Sequence, residues 1–182
     1  MASRIKFDDS LLFIVDIQQK LAPAMFAGEV AISNNYKLLQ AALHLKLPYL
    51  VSEQYSKGIG HTVEILSALI DPINVIEKMT FSCLDEPVIL DRLQQQGRRQ
   101  IIVTGMECHV CVLQTVLDLL DAGYQVFVVD DCVASRTPEN RMLGIERMRQ
   151  NGAQIVSSEM VMFEWLNRAG TDDFKAILPL IK

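Results

Sequence analysis

Apolar positions along the chain gather into six short runs, at residues 11–15, 47–51, 73–76, 101–103, 126–129 and 155–156. Each run is near-continuous and rich in β-branched residues, the pattern of a strand covered on both faces within a parallel sheet. Their starts lie 36, 26, 28, 25 and 29 residues apart. That leaves room for the crossover helix a parallel pair requires. The intervening segments carry helical spacing. Tyr36, Leu39, Leu43 and Leu47 form one stripe, and Val112, Val116, Leu119 and Leu120 form another that stops at Gly123. A further helix is predicted over residues 87–96, ending at Gly97. Thr137 before Pro138 reads as an N-cap with proline at the first helical position, and that helix should turn Met142, Ile145 and Met148 inward before Gly152. The last helices are predicted over residues 160–168 and from Asp172 onward. The pattern predicts one three-layer α/β domain over residues 1–182, built on a parallel sheet of about six strands with right-handed crossovers.

Composition narrows the classes. The chain has 182 residues, half of them hydrophobic, and a net charge of −5. Nucleic-acid binding needs a basic excess, so none is expected. No apolar run approaches the ~20 residues of a membrane span. The first six residues show no apolar signal-peptide core, so a cytoplasmic location is expected. Four cysteines without a secretion signal read as thiols.

Ligands of open parallel sheets bind outside the carboxyl ends of the strands. The runs lead there into Asp16, Ser52-Glu53-Gln54, Glu77-Lys78, Thr104-Gly105 and Asp130-Asp131, with Glu107-Cys108-His109-Val110-Cys111 following the fourth. Asp130, Glu53 and Glu77 read equally well as helix caps or solvated carboxylates. Asp16, directly after five apolar residues, should be partly desolvated and in need of a cation, and Lys78 is the natural partner.

Cys108 and Cys111 form a CxxC pair with three readings. Zinc lacks a second ligand pair, since His44, His61 and His109 are scattered. A redox dithiol remains open. In the third reading Cys108 lies on the core stripe with Val112 and Val116, while Cys111 is a nucleophile near a helix N-terminus, where the dipole favours thiolate. On a helix His109 and Cys111 point to opposite sides, which excludes His109 as the activator of Cys111, whereas a turn there would not exclude it; the base is expected from another strand end. Cys83 and Cys132 read as buried structural thiols.

Three segments carry a resemblance: Phe13-Ile14-Val15-Asp16-Ile17-Gln18, Lys78-Met79-Thr80-Phe81-Ser82, and Thr104-Gly105-Met106-Glu107-Cys108-His109-Val110-Cys111-Val112. Their order and spacing resemble the isochorismatase-like cysteine hydrolases over nearly the whole chain. The stretches from Ser52 to Gly60 and from Val129 to Arg136 resemble the isochorismatase-domain-containing subgroup of that family. The resemblance implies a Rossmann-like sheet and a triad of Asp16, Lys78 and Cys111. It also implies a cis peptide between Met106 and Glu107 that turns the Glu107 and Cys111 N–H groups into an oxyanion hole. Gln18, Gln54, Tyr55 and Phe81 would wall a small-molecule pocket. Members that cleave the isochorismate vinyl ether generally lack the cysteine, so that activity is not expected. Nicotinamidases carry an Asp-x-His metal motif after the second strand, where this chain has Glu53-Gln54-Tyr55, so neither a metal nor another cofactor is expected. The expected activity is hydrolysis of a small amide or ureide C–N bond through a thioester. The alternatives are a non-catalytic scaffold of the same fold or a CxxC redox protein. The resemblance also suggests a homo-oligomer, with Met160, Met162, Phe163 and Trp165 either at an interface or packed onto the sheet.

Overall fold

The computed structural model describes residues 4–181. Met1, Ala2 and Ser3, where the stretch read for a targeting signal begins, lie outside the described residues, as does Lys182. Each of the six apolar runs overlaps one strand: β1 Ser10–Val15, β2 Tyr49–Gln54, β3 Val75–Lys78, β4 Gln100–Met106, β5 Gln125–Ala134 and β6 Gln154–Val156. All pair in parallel, in the order β3-β2-β1-β4-β5-β6. The central strands β1 and β4 are buried along their whole length, which is why their sequences do not alternate.

The helices are α1 Gly28–Leu45, α2 Ser56–Ile59, α3 Glu64–Ser67, α4 Pro87–Gln96, α5 Leu113–Asp121, α6 Pro138–Gln150, α7 Ser158–Leu166 and α8 Asp172–Ile181. One apolar layer joins β1, β2, β4 and β5 to α1, α7 and α8 through residues such as Leu12, Ile102, Leu38, Trp165 and Ile177. The opposite layer joins the other face of the sheet to α4, α5 and α6 through Phe13, Val103, Leu93, Val116 and Met148. This is the three-layer α/β architecture the apolar runs predict. No described helix is long and apolar enough to cross a membrane.

Several local signals act as expected. The Thr137 side chain accepts from the Asn140 N–H and caps α6, and Gly97 ends α4 in the left-handed region. Leu47 lies beyond α1, yet its N–H returns to the Ala42 carbonyl at 2.8 Å, so it stays on the buried stripe. Two expectations need correction, and one open alternative is decided. Met142 is 61% exposed, because Gly144, with Ile145 and Met148, is the residue α6 turns inward. A Cβ at Gly144 would sit 3.1 Å from the Cys108 carbonyl oxygen and the His109 Cα, so helix and turn pack there backbone to backbone. Strand β5 does not end at Asp130-Asp131. The β4–β5 register shifts between Val103 and Gly105, and pairing resumes at Gly105–Val133 and Met106–Ala134. Of the four apolar residues of α7 weighed for an interface, Met162 and Trp165 are buried in the core and only Met160 and Phe163 are exposed.

Candidate active site

The strand order reverses between β1 and β4, the position at which a doubly wound sheet opens a crevice beyond its strand ends. Asp16 follows β1 there. Its φ of 50° lies in the left-handed region, which aspartate tolerates better than most residues. Its N–H donates to the Ser52 carbonyl of β2 at 3.1 Å. Gly105 of β4 runs so close to β1 that a Cβ would lie 1.9 Å from the Val15 carbonyl oxygen, and its φ is 123°. Strand β4 then leaves through a cis Met106–Glu107 bond into one π-helical turn, Cys108–Val112. The Glu107 carbonyl accepts from Val110 and Val112 within that turn, and its carboxylate pairs with Arg136 Nε at 2.9 Å.

Lys78 reaches the crevice from the end of β3. Its Nζ lies 2.8 Å from Asp16 Oδ2, and both side chains are wholly buried. Nζ also donates to Gln54 Oε1 at 2.7 Å and to the carbonyls of Thr80 and Phe81 at 3.0 and 3.2 Å. Asp16 Oδ2 thus faces an ammonium that it shares with three neutral acceptors. Burial works to lower the Lys78 pKa, but the Asp16 charge, with Cys83 and Cys111 nearby, carries it above its ordinary value.

Cys111 is 7% exposed, and its thiol is within hydrogen-bonding reach of Asp16. Burial and the Asp16 charge push its pKa up from 9.0 to about 12, and Lys78 offsets them only in part. The resting group is thus a thiol, contrary to the thiolate expected from a helix N-terminus. Cys111 lies inside the π turn, not at a free helix end, and the charge that acts on it most strongly is the Asp16 carboxylate. Cys108 faces the other way, toward the Arg141 carbonyl at 3.7 Å, and burial pushes its pKa up to about 12 as well. All four cysteines are free. His109 does not address Cys111, since its Nδ1 pairs with Ser135 Oγ at 3.0 Å.

The remaining strand-end residues divide. Glu53 accepts from the Thr62 N–H and hydroxyl at 2.6 and 2.7 Å and from His61 Nδ1 at 2.9 Å. It is thereby spent on the loop that follows β2. Glu77 accepts from the Ser56 hydroxyl and N–H at the start of α2, which holds its carboxyl below the ordinary range. Asp130 pairs with Arg141 at 2.8 Å, and Asp131 accepts from the N–H and hydroxyl of Ser158 at the start of α7. Among the described residues no three His, Cys, Asp or Glu side chains gather into a metal site.

Of the wall residues, Gln18 is wholly buried. Its amide joins the Gln54 main chain to the Gly60 carbonyl. Gln54 spans Lys78 and the Met79 carbonyl. Tyr55 lines a cleft of about 310 Å³ with Lys57, Glu77, Lys78, Met79 and Glu86, and Phe81 is exposed. Two residues not singled out join the centre: Ser52 Oγ donates to Asp16 Oδ1 at 2.7 Å, and Cys83 Sγ lies 3.5 Å from Ser52 Oγ. The strand-end position could have marked Ser52; nothing local marks Cys83.

Comparison with known proteins agrees with this architecture. Isochorismatase family protein 1B of Dictyostelium discoideum is 38% identical over 181 residues, covering 96% of this chain and 87% of that protein. A ribonuclease structure from Caenorhabditis elegans, MAR1, superposes with a TM-score of 0.91 at 36% identity, covering 98% of this chain and 92% of its own. YcaC from Pseudomonas aeruginosa, solved with hexane-2,5-diol and covalent acrylamide, gives 0.92 at 25% identity and covers 99% and 92%. The isochorismatase domain model matches residues 10–160. By fold and by sequence, this chain belongs to the isochorismatase family and has the fold of its hydrolases.

Proposed function

We propose that the chain is a cysteine-nucleophile hydrolase of a small amide or ureide C–N bond, with Asp16, Lys78 and Cys111 as its catalytic residues. The observation that carries this reading is the buried Asp16–Lys78 pair at 2.8 Å with the Cys111 thiol beside it. A thiol whose pKa is raised to about 12 is a poor nucleophile until a base takes its proton. The Asp16 carboxylate, within hydrogen-bonding reach of the thiol, is that base. As sulfur bonds to the carbonyl carbon, the proton passes to Asp16, and the Glu107 and Cys111 N–H groups hold the developing oxyanion. The C–N bond then breaks and Asp16 returns the proton to the leaving amine. Water attacks the thioester with Asp16 again as base, the C–S bond breaks, and carboxylate and free thiol remain. Lys78 keeps the site's charge balanced while Asp16 is ionised.

Acrylamide is a soft electrophile that combines with thiolates, so its covalent presence in the YcaC structure supports a nucleophile in this fold. A ribonuclease role like that of the Caenorhabditis relative would need phosphate contacts that a chain of net charge −5 is poorly suited to supply. The test is ammonia release across a panel of primary amides and ureides. Wild type should turn over at least one member, and Cys111→Ala should lose about 10³-fold or more. A folded Cys111→Ala protein with full turnover would exclude the thiol as nucleophile.

A further inference from the structure

We infer that Ser52, held by Cys83, is a positioning residue that fixes the Asp16 carboxyl so that Oδ2, and not Oδ1, is the oxygen that exchanges protons. The inference rests on the reading of Asp16 as the base. Ser52 and Cys83 are both completely buried. A serine hydroxyl has one proton. Here it goes to Asp16 Oδ1 at 2.7 Å, so Ser52 Oγ can only accept from Cys83 Sγ, 3.5 Å away.

The direction of this chain is fixed at its far end. Burial holds Cys83 as a thiol, with its pKa pushed up to about 12, so it can donate at any physiological pH. The Cys83 N–H donates in turn to Thr115 Oγ1 of α5 at 3.0 Å, which anchors the relay to the helix layer beneath the sheet. At the near end the Asp16 N–H is tied to the Ser52 carbonyl. Main chain and side chain of one β2 residue therefore grip Asp16 together. With Oδ1 accepting from the Ser52 hydroxyl and the Lys78 ammonium shared among three neutral acceptors, Oδ2 is the Asp16 oxygen more open to exchange a proton. Without the hydroxyl, the carboxyl group can rotate about its Cβ–Cγ bond and spread its basicity over both oxygens.

The test loads Cys111 by prolonged exposure to excess p-nitrophenyl acetate, an activated ester whose leaving group needs no proton, so that slower acetylation in a variant does not prevent loading. Loss of the acetyl group from the full-length protein is then followed by intact mass, since deacylation needs Asp16 to activate water. Ser52→Ala should acetylate but deacylate about 10-fold or more slowly, the loss expected of a hydrogen bond to a charged group. Ser52→Thr, which keeps the hydroxyl, should restore the rate. Should Ser52→Ala not fold, Ser52→Cys keeps the volume with a weaker donor, and an intermediate rate is expected. Deacylation at the wild-type rate in Ser52→Ala, or in Ser52→Cys if it stands in, overturns the inference provided Asp16→Asn is slow. Equal slowing in Ser52→Ala and Ser52→Thr overturns it too, because the hydroxyl is then not what matters. If Asp16→Asn deacylates at the wild-type rate, or Cys111→Ala acetylates as well as wild type, the proposed function itself falls.

Discussion

Replacing Lys78 by methionine should be far more damaging than replacing Asp16 by asparagine, although the two residues form one ion pair. Both side chains have no solvent exposure, and Nζ sits 2.8 Å from Oδ2. Lys78→Met leaves a buried carboxylate with no cation beside it, held by the Ser52 hydroxyl and the Cys111 thiol. Removing one partner of a buried pair costs about 3–5 kcal/mol. Gln54 Oε1 and the Thr80 and Phe81 carbonyls also lose their donor. Asp16→Asn removes the ionic partner but leaves the ammonium with all three of those neutral acceptors, so its cost should fall below that of Lys78→Met, at about 1–3 kcal/mol. The double variant should recover part of the Lys78→Met loss, since it leaves no buried charge. Urea unfolding at pH 7 by circular dichroism, with m-values compared, gives all three numbers. A loss below about 1 kcal/mol for Lys78→Met, or a greater loss for Asp16→Asn than for Lys78→Met, would refute the reasoning.

Stability should fall as pH rises above about 9. Cys83, Cys108 and Cys111 have folded values of about 12 against an ordinary 9.0, and Cys132 is raised well above it, so between those values the unfolded chain releases protons that the folded one keeps. The contribution is fully present below pH 9 and declines at up to about 1.4 kcal/mol per pH unit per thiol; urea midpoints at pH 8 and pH 10.5 would show it, and equal midpoints would contradict it. Gly105→Ala should destabilise by about 3 kcal/mol or more, because its Cβ meets main chain of β1 1.9 Å away and its φ is 123°; a thermal melt unchanged from wild type would contradict that close approach. His109→Ala should leave acetylation of Cys111 by p-nitrophenyl acetate within about 3-fold of wild type, since His109 pairs with Ser135 and not with the thiol; a large loss would make His109 part of the machinery.

What the sequence discloses follows from how local each cause is. The strands are legible because burial on both faces leaves a continuous apolar run, as in residues 11–15. Asp16 and Lys78 are legible because polar residues at the ends of such runs have to face the crevice. The extent of β5 is not, because two aspartates interrupt its run and the register shift that lets it continue belongs to the β4–β5 pairing. The inner face of α6 is hidden for another reason. It is centred on Gly144, where backbone packs on backbone, and an apolar period has no signal for a glycine contact. Cys83 lies far along the chain from Ser52, and only the neighbouring positions of β2 and the turn after β3 bring them together. The resting state of Cys111 could not be read either, because its pKa depends on which charge the fold places nearest.

The central claim is that Cys111 carries the acyl group during turnover. The most direct measurement is to quench wild-type protein in acid while it hydrolyses whichever amide of the panel releases ammonia, and to map the adduct by peptide mass spectrometry. The account predicts an acyl thioester on Cys111 that forms no more slowly than ammonia appears, with Cys108 unmodified. Steady ammonia release with no adduct at Cys111, and an undiminished rate in Cys111→Ala, would contradict it.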